Sequence, residues 1–296
     1  MLDREESGRP ERLSAIIDRE LHRYHVDVAA LSETRLKGHG QLTEQHYTFF
    51  WSGGDVHQAG VAFAVHKDVL TRLAAVPSAI SNRLSSIRLA DKRFLTLVAV
   101  YAPTMTYEDA TRANFYAELG HILNDVPKAD KLIVLGDFNA RVGNDRPGWG
   151  RVLGTQARGR TNSNGSLLLE LCTELDQAIT NTFFAMPDKW YYSWMHPRSR
   201  TWHLLDYILV RRDDLRDVHS TRVMRGATCG TDHYMAEELE NKVSDRINQL
   251  QEPTSPDRSV NERCSKSAVW FTLQQERSLG IQGGGMPTGL IKTTPR

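Results

Sequence analysis

The chain has 296 residues, 40% of them hydrophobic and 25% charged, with a formal net charge of +1. That length allows one large domain or two small ones, and the composition is ordinary for a soluble globular protein. Cys172, Cys229 and Cys264 are odd in number, far apart and form no C-x-x-C pair, which argues against a disulfide framework and against zinc, and for a reducing compartment.

The first residues, Met-Leu-Asp-Arg-Glu-Glu, are charged. No apolar run reaches the roughly 18 residues of a membrane span. The expectation is an intracellular protein, with a nuclear location compatible and no membrane partner. Residues 11–24 place Leu13, Ile16, Ile17, Leu21 and Tyr24 on one helical face. A short apolar strand, Val26 to Leu31, follows and ends at Ser32-Glu33-Thr34-Arg35. After a glycine-containing loop, Gly60 to Val65 reads as a strand. Leu84 to Leu89 and Phe94 to Tyr101, split by Ala90-Asp91-Lys92-Arg93, read as a hairpin. Pro103 ends its second arm, since proline cannot donate to a sheet ladder.

Residues 107–124 predict the clearest helix, burying Phe115, Leu119, Ile122 and Leu123, with Glu108 and Asp109 in its first turn. The run Lys131-Leu-Ile-Val-Leu-Gly-Asp-Phe-Asn-Ala140 is a buried strand that stops at Gly136 and delivers Asp137 and Asn139 just past its end. A Gly- and Arg-rich loop of about twenty residues follows, long enough to be functional. Then come a helix at 166–175 and strands at 178–181, 191–195, 204–210 and 218–223. Beyond His233 the character changes. Met235, Leu239, Val243, Ile247 and Leu250 lie at helical spacing, so 235–251 predicts an amphipathic helix suited to a protein partner or to self-association. Residues 252–296 predict a largely disordered tail. The expected organisation is a domain over 11–235, the helix, and the tail.

Charge is uneven. Arg141 to Arg160 holds five arginines and one acid, and Met195 to Arg225 holds seven arginines against four aspartates. Arginine clusters beside a site suit a polyanion such as DNA or a phosphorylated ligand; the ordinary alternative is solvated loops.

Three acids (Glu33, Asp137, Asp232), one amide (Asn139), one histidine (His233) and one tyrosine (Tyr101) sit at strand ends. Hard oxygen ligands without paired Cys or His favour Mg²⁺ or Mn²⁺ over zinc. Such an ion neutralises a phosphate and stabilises its developing charge. Asp206, if it meets His233, would orient and charge the imidazole. Each residue also has a structural reading. Asp137 and Asn139 could be turn chemistry, and Asp232-His233 could cap a helix. Glu33 and Arg35 could be a surface ion pair, and Tyr101 could be core packing.

The ordered set Ser-Glu-Thr-Arg-Leu (32–36), Tyr-Ala-Pro-Thr (101–104), Gly-Asp-Phe-Asn-Ala (136–140), Leu-Asp-Tyr-Ile-Leu (205–209) and Thr-Asp-His (231–233) resembles the endonuclease/exonuclease/phosphatase superfamily. Within it the set is most similar to the apurinic-type endonuclease domain of LINE retrotransposons and the related craniofacial development protein 2-like group. The resemblance implies an α/β, DNase I-like four-layer sandwich of two mixed β-sheets flanked by helices. It also implies a Mg²⁺-dependent DNA endonuclease of retrotransposon origin, in which water attacks a metal-bound phosphate and leaves a 3′-hydroxyl and a 5′-phosphate. Glu33 is then the principal metal ligand, and Asp232 supports the metal or its water shell. Asp137, helped by Asn139, orients or deprotonates the water. His233, held by Asp206, and Tyr101 bind the scissile phosphate. Asn162, Asn164, Ser193 and Trp194 are expected at the substrate rim.

The sequence departs from that pattern at both ends. The family opens on a buried strand bearing a metal-site asparagine, yet the first asparagine here is Asn82. The alternating strand that closes the family domain after Asp-His is replaced by the helical period of 235–251. One sheet is therefore expected to lack its first and last strands. That makes an inactive derivative acting through protein contacts the alternative to an active nuclease, with phosphomonoesterase action a further one. No Tyr-Ala-Asp-Asp-like polymerase motif is present.

Overall fold

The computed structural model describes residues 12–224 together with the backbone of 235–240 and 267–272. In chain order, α1 (Leu13–Arg23) leads into β1 (Val28–Ser32), β2 (His39–Thr43), β3 (Tyr47–Ser52) and β4 (Val61–His66). A short α2 (Lys67–Leu70) precedes β5 (Ser78–Ala79), β6 (Leu84–Leu89) and β7 (Leu95–Tyr101). Next come α3 (Asp109–Asp125), β8 (Lys131–Asp137), α4 (Arg146–Trp149), α5 (Ser163–Glu174) and β9 (Gln177–Ile179). The hairpin β10 (Trp194–Met195) and β11 (Trp202–His203) is followed by β12 (Asp206–Arg211), β13 (Val218–Met224), β14 (Met235–Glu240) and β15 (Ser267–Thr272).

Two sheets form. The first has the order β13-β14-β15-β1-β4-β3-β2 and the second β5-β6-β7-β8-β12-β9. Alternation along each strand decides the layers, because successive side chains point to opposite faces. Val28 and Ala30 of β1, and Val61, Phe63 and Val65 of β4, meet Leu97, Ala99, Ile133, Leu135, Ile208 and Val210 between the sheets. The opposite face of the first sheet packs on Ile17 and Leu21 of α1. The opposite face of the second packs on Phe115, Leu119 and Leu123 of α3 and on Leu168, Leu169 and Cys172 of α5. The result is the expected four layers: helix, sheet, sheet, helices.

Three sequence expectations are corrected. Residues 235–240 are a strand, not the first turns of a helix, and pair with β13 on one side and β15 on the other. The apolar Met235 and Leu239 are four apart, a spacing shared by one face of a helix and one face of a strand. Three glutamates among six residues then hid the strand, since glutamate is a poor strand former. Sheet pairing decided between the two periods. Residues 267–272, expected in the disordered tail, pair in parallel with β1, Val28 opposite Ala268 through Ser32 opposite Thr272. The sheet is consequently not short at this side: β14 and β15 stand between β13 and β1. The remainder of the expected helix, 241–251, and the rest of the tail lie outside the described residues. Two strands, β2 and β3, had no signal in the sequence reading. Strand β2 alternates between exposed and half-buried positions as an edge strand, and its sequence His-Gly-Gln-Leu-Thr carries little apolar pattern.

At the rim opposite the functional one, four histidines from three segments meet. The ring of His22, at the end of α1, stacks on His46 with centroids 3.7 Å apart and lies 5.9 Å from His66 and 6.5 Å from His25. Asp18 takes His46 Nδ1 at 2.7 Å. Partial burial first, then the neighbouring imidazoles, hold His22 below its ordinary value of 6.5. A depressed histidine value means the unfolded chain binds the proton more readily, so the folded state loses stability as pH falls from the ordinary value through the folded one. We expect the Tm to fall between about pH 7.5 and about pH 5, and the fall to be shallower in His22→Gln; identical pH profiles for the two would contradict this role.

Candidate active site

The register of the second sheet builds the site. Tyr101 pairs with Asp137 across β7 and β8, and Asp137 with Asp206 across β8 and β12. The three side chains therefore end adjacent strands in one row. They share the parity of Ala99, Leu135 and Ile208, which face the gap between the sheets, so all three stand at its mouth. Glu33 follows β1 of the other sheet directly, and the Tyr101 hydroxyl donates to its Oε1 at 2.8 Å. This bond joins the two sheets at the mouth. Burial first, then the carboxylates of Glu33 and Asp137, keep the Tyr101 phenol far above its usual range. It is a hydrogen-bond donor throughout the working pH range.

The carboxylates are enclosed. Asp137 is 2% and Asp206 0% exposed, and the Glu33 side chain 13%. Arg35 pairs with the second Glu33 oxygen at 3.5 Å, and both side chains are partly buried. Asn139 sits in the left-handed region (φ 46°). Its N–H donates to Asp137 Oδ1 at 2.7 Å and its Nδ2 to the carbonyl of Ala102 at 2.9 Å. Glu33 (φ 55°) and Arg35 (φ 54°) share that conformation, which is uncommon for residues with a Cβ and is found where the surroundings fix a functional geometry.

Helix α5 supports the corner from behind. The Asn162 side chain accepts from Gly165 N–H at 2.8 Å, capping the helix, and its Nδ2 reaches the Asn139 carbonyl at 3.3 Å. Asn164 donates from Nδ2 to the carbonyls of Pro103, Phe138 and Asn139 at 2.9, 3.4 and 3.3 Å. Ser193 Oγ accepts from Leu205 N–H at 3.3 Å, next to Asp206. Asn181 donates to the Asp206 carbonyl at 3.3 Å and accepts from Ile208 N–H at 2.9 Å. Asn164 and Ser193 are 0% exposed, which corrects the expectation that they line the substrate rim: they hold the Asp137–Asn139 turn and the start of β12. Trp194 is half-buried on the β10–β11 hairpin, its ring stacked on His203 at 5.9 Å. Burial, then Arg141 and His196, depress His203.

Asp232 and His233 lie outside the described residues. Met224 and Met235 pair across β13 and β14. The register from β14 through β15 to β1 sets Met235 at the end of the sheet where β1 runs into Glu33. Among the described residues, no three His, Cys, Asp or Glu side chains converge on one metal-sized point. Magnesium is commonly held by only one or two carboxylates and keeps several waters. The hard-oxygen set of Glu33, with Asp137 and Asn139 beside it, fits that chemistry. Arg83 stands one step along the same row, beside Tyr101. A single arginine before a strand carries no distinctive pattern.

Two face-to-face mixed sheets, helices outside, and a row of carboxylates, amide and phenol at one mouth define a DNase I-like sandwich. Residues 4–233 match the Endonuclease/Exonuclease/phosphatase family, and the chain belongs to it. It is 34% identical over 251 residues to craniofacial development protein 2 of Bos taurus, covering 83% of this chain and 41% of that protein; the chain thus spans about two-fifths of that relative's length. Among solved structures it is similar to the Xenopus laevis APE2 catalytic domain (TM-score 0.56, 15% identity, 77% of this chain and 87% of that one). It is also similar to the endonuclease domain of TRAS1, a telomere-specific non-LTR retrotransposon (TM-score 0.52, 17% identity, 76% and 90%). At these identities the structural likeness establishes the fold. No helix among the described residues is long and apolar enough to cross a membrane.

Proposed function

We propose that the chain is a Mg²⁺-dependent DNA endonuclease of retrotransposon descent, cutting a phosphodiester bond by water attack to leave a 3′-hydroxyl and a 5′-phosphate. The observation that carries this reading is the Tyr101–Glu33 hydrogen bond, which brings one sheet's tyrosine–aspartate row within reach of the other sheet's glutamate. Magnesium, when bound, supplies charge neutralisation at the phosphate. Glu33 would hold it, with Asp232 supporting its water shell. Asp137, fixed by the Asn139 N–H, would orient a water and take its proton. The Tyr101 phenol, whose one O–H goes to Glu33 in this structure, would turn it to a phosphate oxygen when substrate and metal engage Glu33. His233 is assigned to the developing charge, with Asp206 holding its imidazole.

DNA is the partner this reading implies. The β10–β11 hairpin, with half-buried Trp194 and Trp202 and exposed Arg198 and Arg200 at its tip, offers aromatic and cationic contacts at the mouth. Incubating the chain with supercoiled plasmid and Mg²⁺ tests the reading. Nicking is expected, and it should fall by about 10²–10³-fold in His233→Ala at matched folding, as when one donor to a transition-state charge is removed. Equal nicking by both would sink it.

A further inference from the structure

The edges of the two sheets are not protected alike. A strand at an edge leaves a row of backbone N–H and C=O groups unpaired, a template for another chain, and proteins blunt it with shortness, proline, charge or a bulge. In the second sheet, β5 has two residues and follows Pro77, and β9 has three. In the first sheet, β13 is irregular between Val218 and Ser220 and carries Arg222. Strand β2 has none of these devices. Its five residues, His-Gly-Gln-Leu-Thr, include no proline, acid, lysine or arginine, and they pair with β3 in unbroken register.

The ladder fixes which backbone groups of β2 are left over. The Glu44 N–H donates to the Tyr47 carbonyl at 2.9 Å, and the Gly53 N–H to the Gly38 carbonyl at 2.6 Å. These pairs bound the strand, and hydrogen-bonded pairs recur at every second residue of an antiparallel ladder. Gly40 and Leu42 therefore bond to β3, while His39, Gln41 and Thr43 turn their N–H and C=O groups outward. All three residues are exposed, and no backbone group among the described residues takes their N–H groups. Beside them a cleft of about 170 Å³ opens between the two sheets, lined by His39, Gln41, Phe50, Val76 and Pro77. Val76 is 83% exposed, so the cleft lacks a cover on this side.

We infer that β2 pairs with β2 of a second copy of this chain, antiparallel about a two-fold axis at Gln41, joining the first sheets of the two copies into one. The outward groups select both partner and register. An axis at Gln41 sets Gln41 opposite Gln41 and His39 opposite Thr43, and every outward N–H then meets an outward C=O. A slip by one residue opposes outward groups to inward ones, and longer slips pair fewer of them. No like charges meet, since Lys37 falls opposite Gln45 and Glu44 opposite Gly38. The added strand extends the sheet beside the open cleft. Strand β2 begins at the rim where β1 ends, so the pairing points the two mouths in opposite directions. A single edge pairing lies at the small end of specific interfaces, which makes the dimer reversible. None of this draws on the hydrolase reading.

Sedimentation velocity of the full chain under reducing conditions, across the micromolar range, reads the equilibrium. The wild-type chain is expected to pass from monomer to dimer as concentration rises. Gln41→Pro removes the central outward N–H at an edge position that tolerates proline. It should raise the dimer Kd by about 10- to 100-fold, the effect of one lost bond from each copy, with melting unchanged. Gln41→Lys and Gln41→Glu should each weaken dimerisation several-fold, because like charges then face each other across the axis. An equimolar mixture of those two variants should associate more tightly than either alone. A wild-type chain that stays monomeric throughout would overturn the inference. So would a dimer whose Kd is unchanged in Gln41→Pro, or a mixture no tighter than its components, since either result puts the contact elsewhere.

Discussion

Asp137→Asn is expected to fold as the parent does and to nick plasmid about 10²–10⁴-fold more slowly, the usual contribution of a positioned general base. The reasoning is local. An asparagine Oδ1 can still accept the Asn139 N–H that now reaches Asp137 Oδ1 at 2.7 Å, so the turn keeps its main tie. What the amide cannot do is take a proton from water. Plasmid nicking under matched melting curves checks this; parent-like nicking would remove Asp137 from the chemistry and leave it a turn residue.

Gly136→Ala should show the largest effect on stability. Gly136 has φ +152°, a region that residues with a Cβ rarely adopt, and an added Cβ would stand 1.9 Å from the Val100 carbonyl oxygen. That oxygen belongs to β7, the strand β8 pairs with in the middle of its sheet, so nothing flexible can yield. Overpacking together with the strained backbone is expected to cost about 3 kcal/mol or more. For a chain of this size that corresponds to a fall of roughly 6–12 °C in Tm. Activity should fall with it, because Gly136 hands the chain to Asp137. A melting curve within about 1 °C of the parent would show that the two strands separate more easily than this account allows.

These two substitutions mark how far the sequence could be read. The apolar run 131–135, its glycine and the Asp-Phe-Asn that follows located strand, stop and the polar residues past it together, since each depends on neighbours in the chain. The same held for Glu33 after β1 and Asp206 at the head of β12. Strand β14 was misread because Met235 and Leu239 satisfy two periods at once, and only pairing with β13 and β15 selects one. Strand β15 joins β1 from more than two hundred residues away, and a contact of that range leaves no local mark.

Site residues divided along the same line. Asn164 and Ser193 belong to motifs and so were expected at the rim, yet their side chains serve buried backbone groups. Motif membership signals constraint, not exposure. Arg83 had no motif of its own. Its guanidinium is held by two tyrosines placed by β7 and the turn after it. The histidine cluster likewise draws on three separate segments.

The central claim is that this mouth hydrolyses a DNA phosphodiester to a 3′-hydroxyl. Its most direct measurement is to incubate the chain with supercoiled plasmid and Mg²⁺ and then offer the nicked product to a DNA polymerase without prior end repair. Immediate labelling by extension is expected, abolished by EDTA and by Asp137→Asn. Nicks that accept label only after phosphatase treatment, or no Mg²⁺-dependent nicks at all, would contradict it.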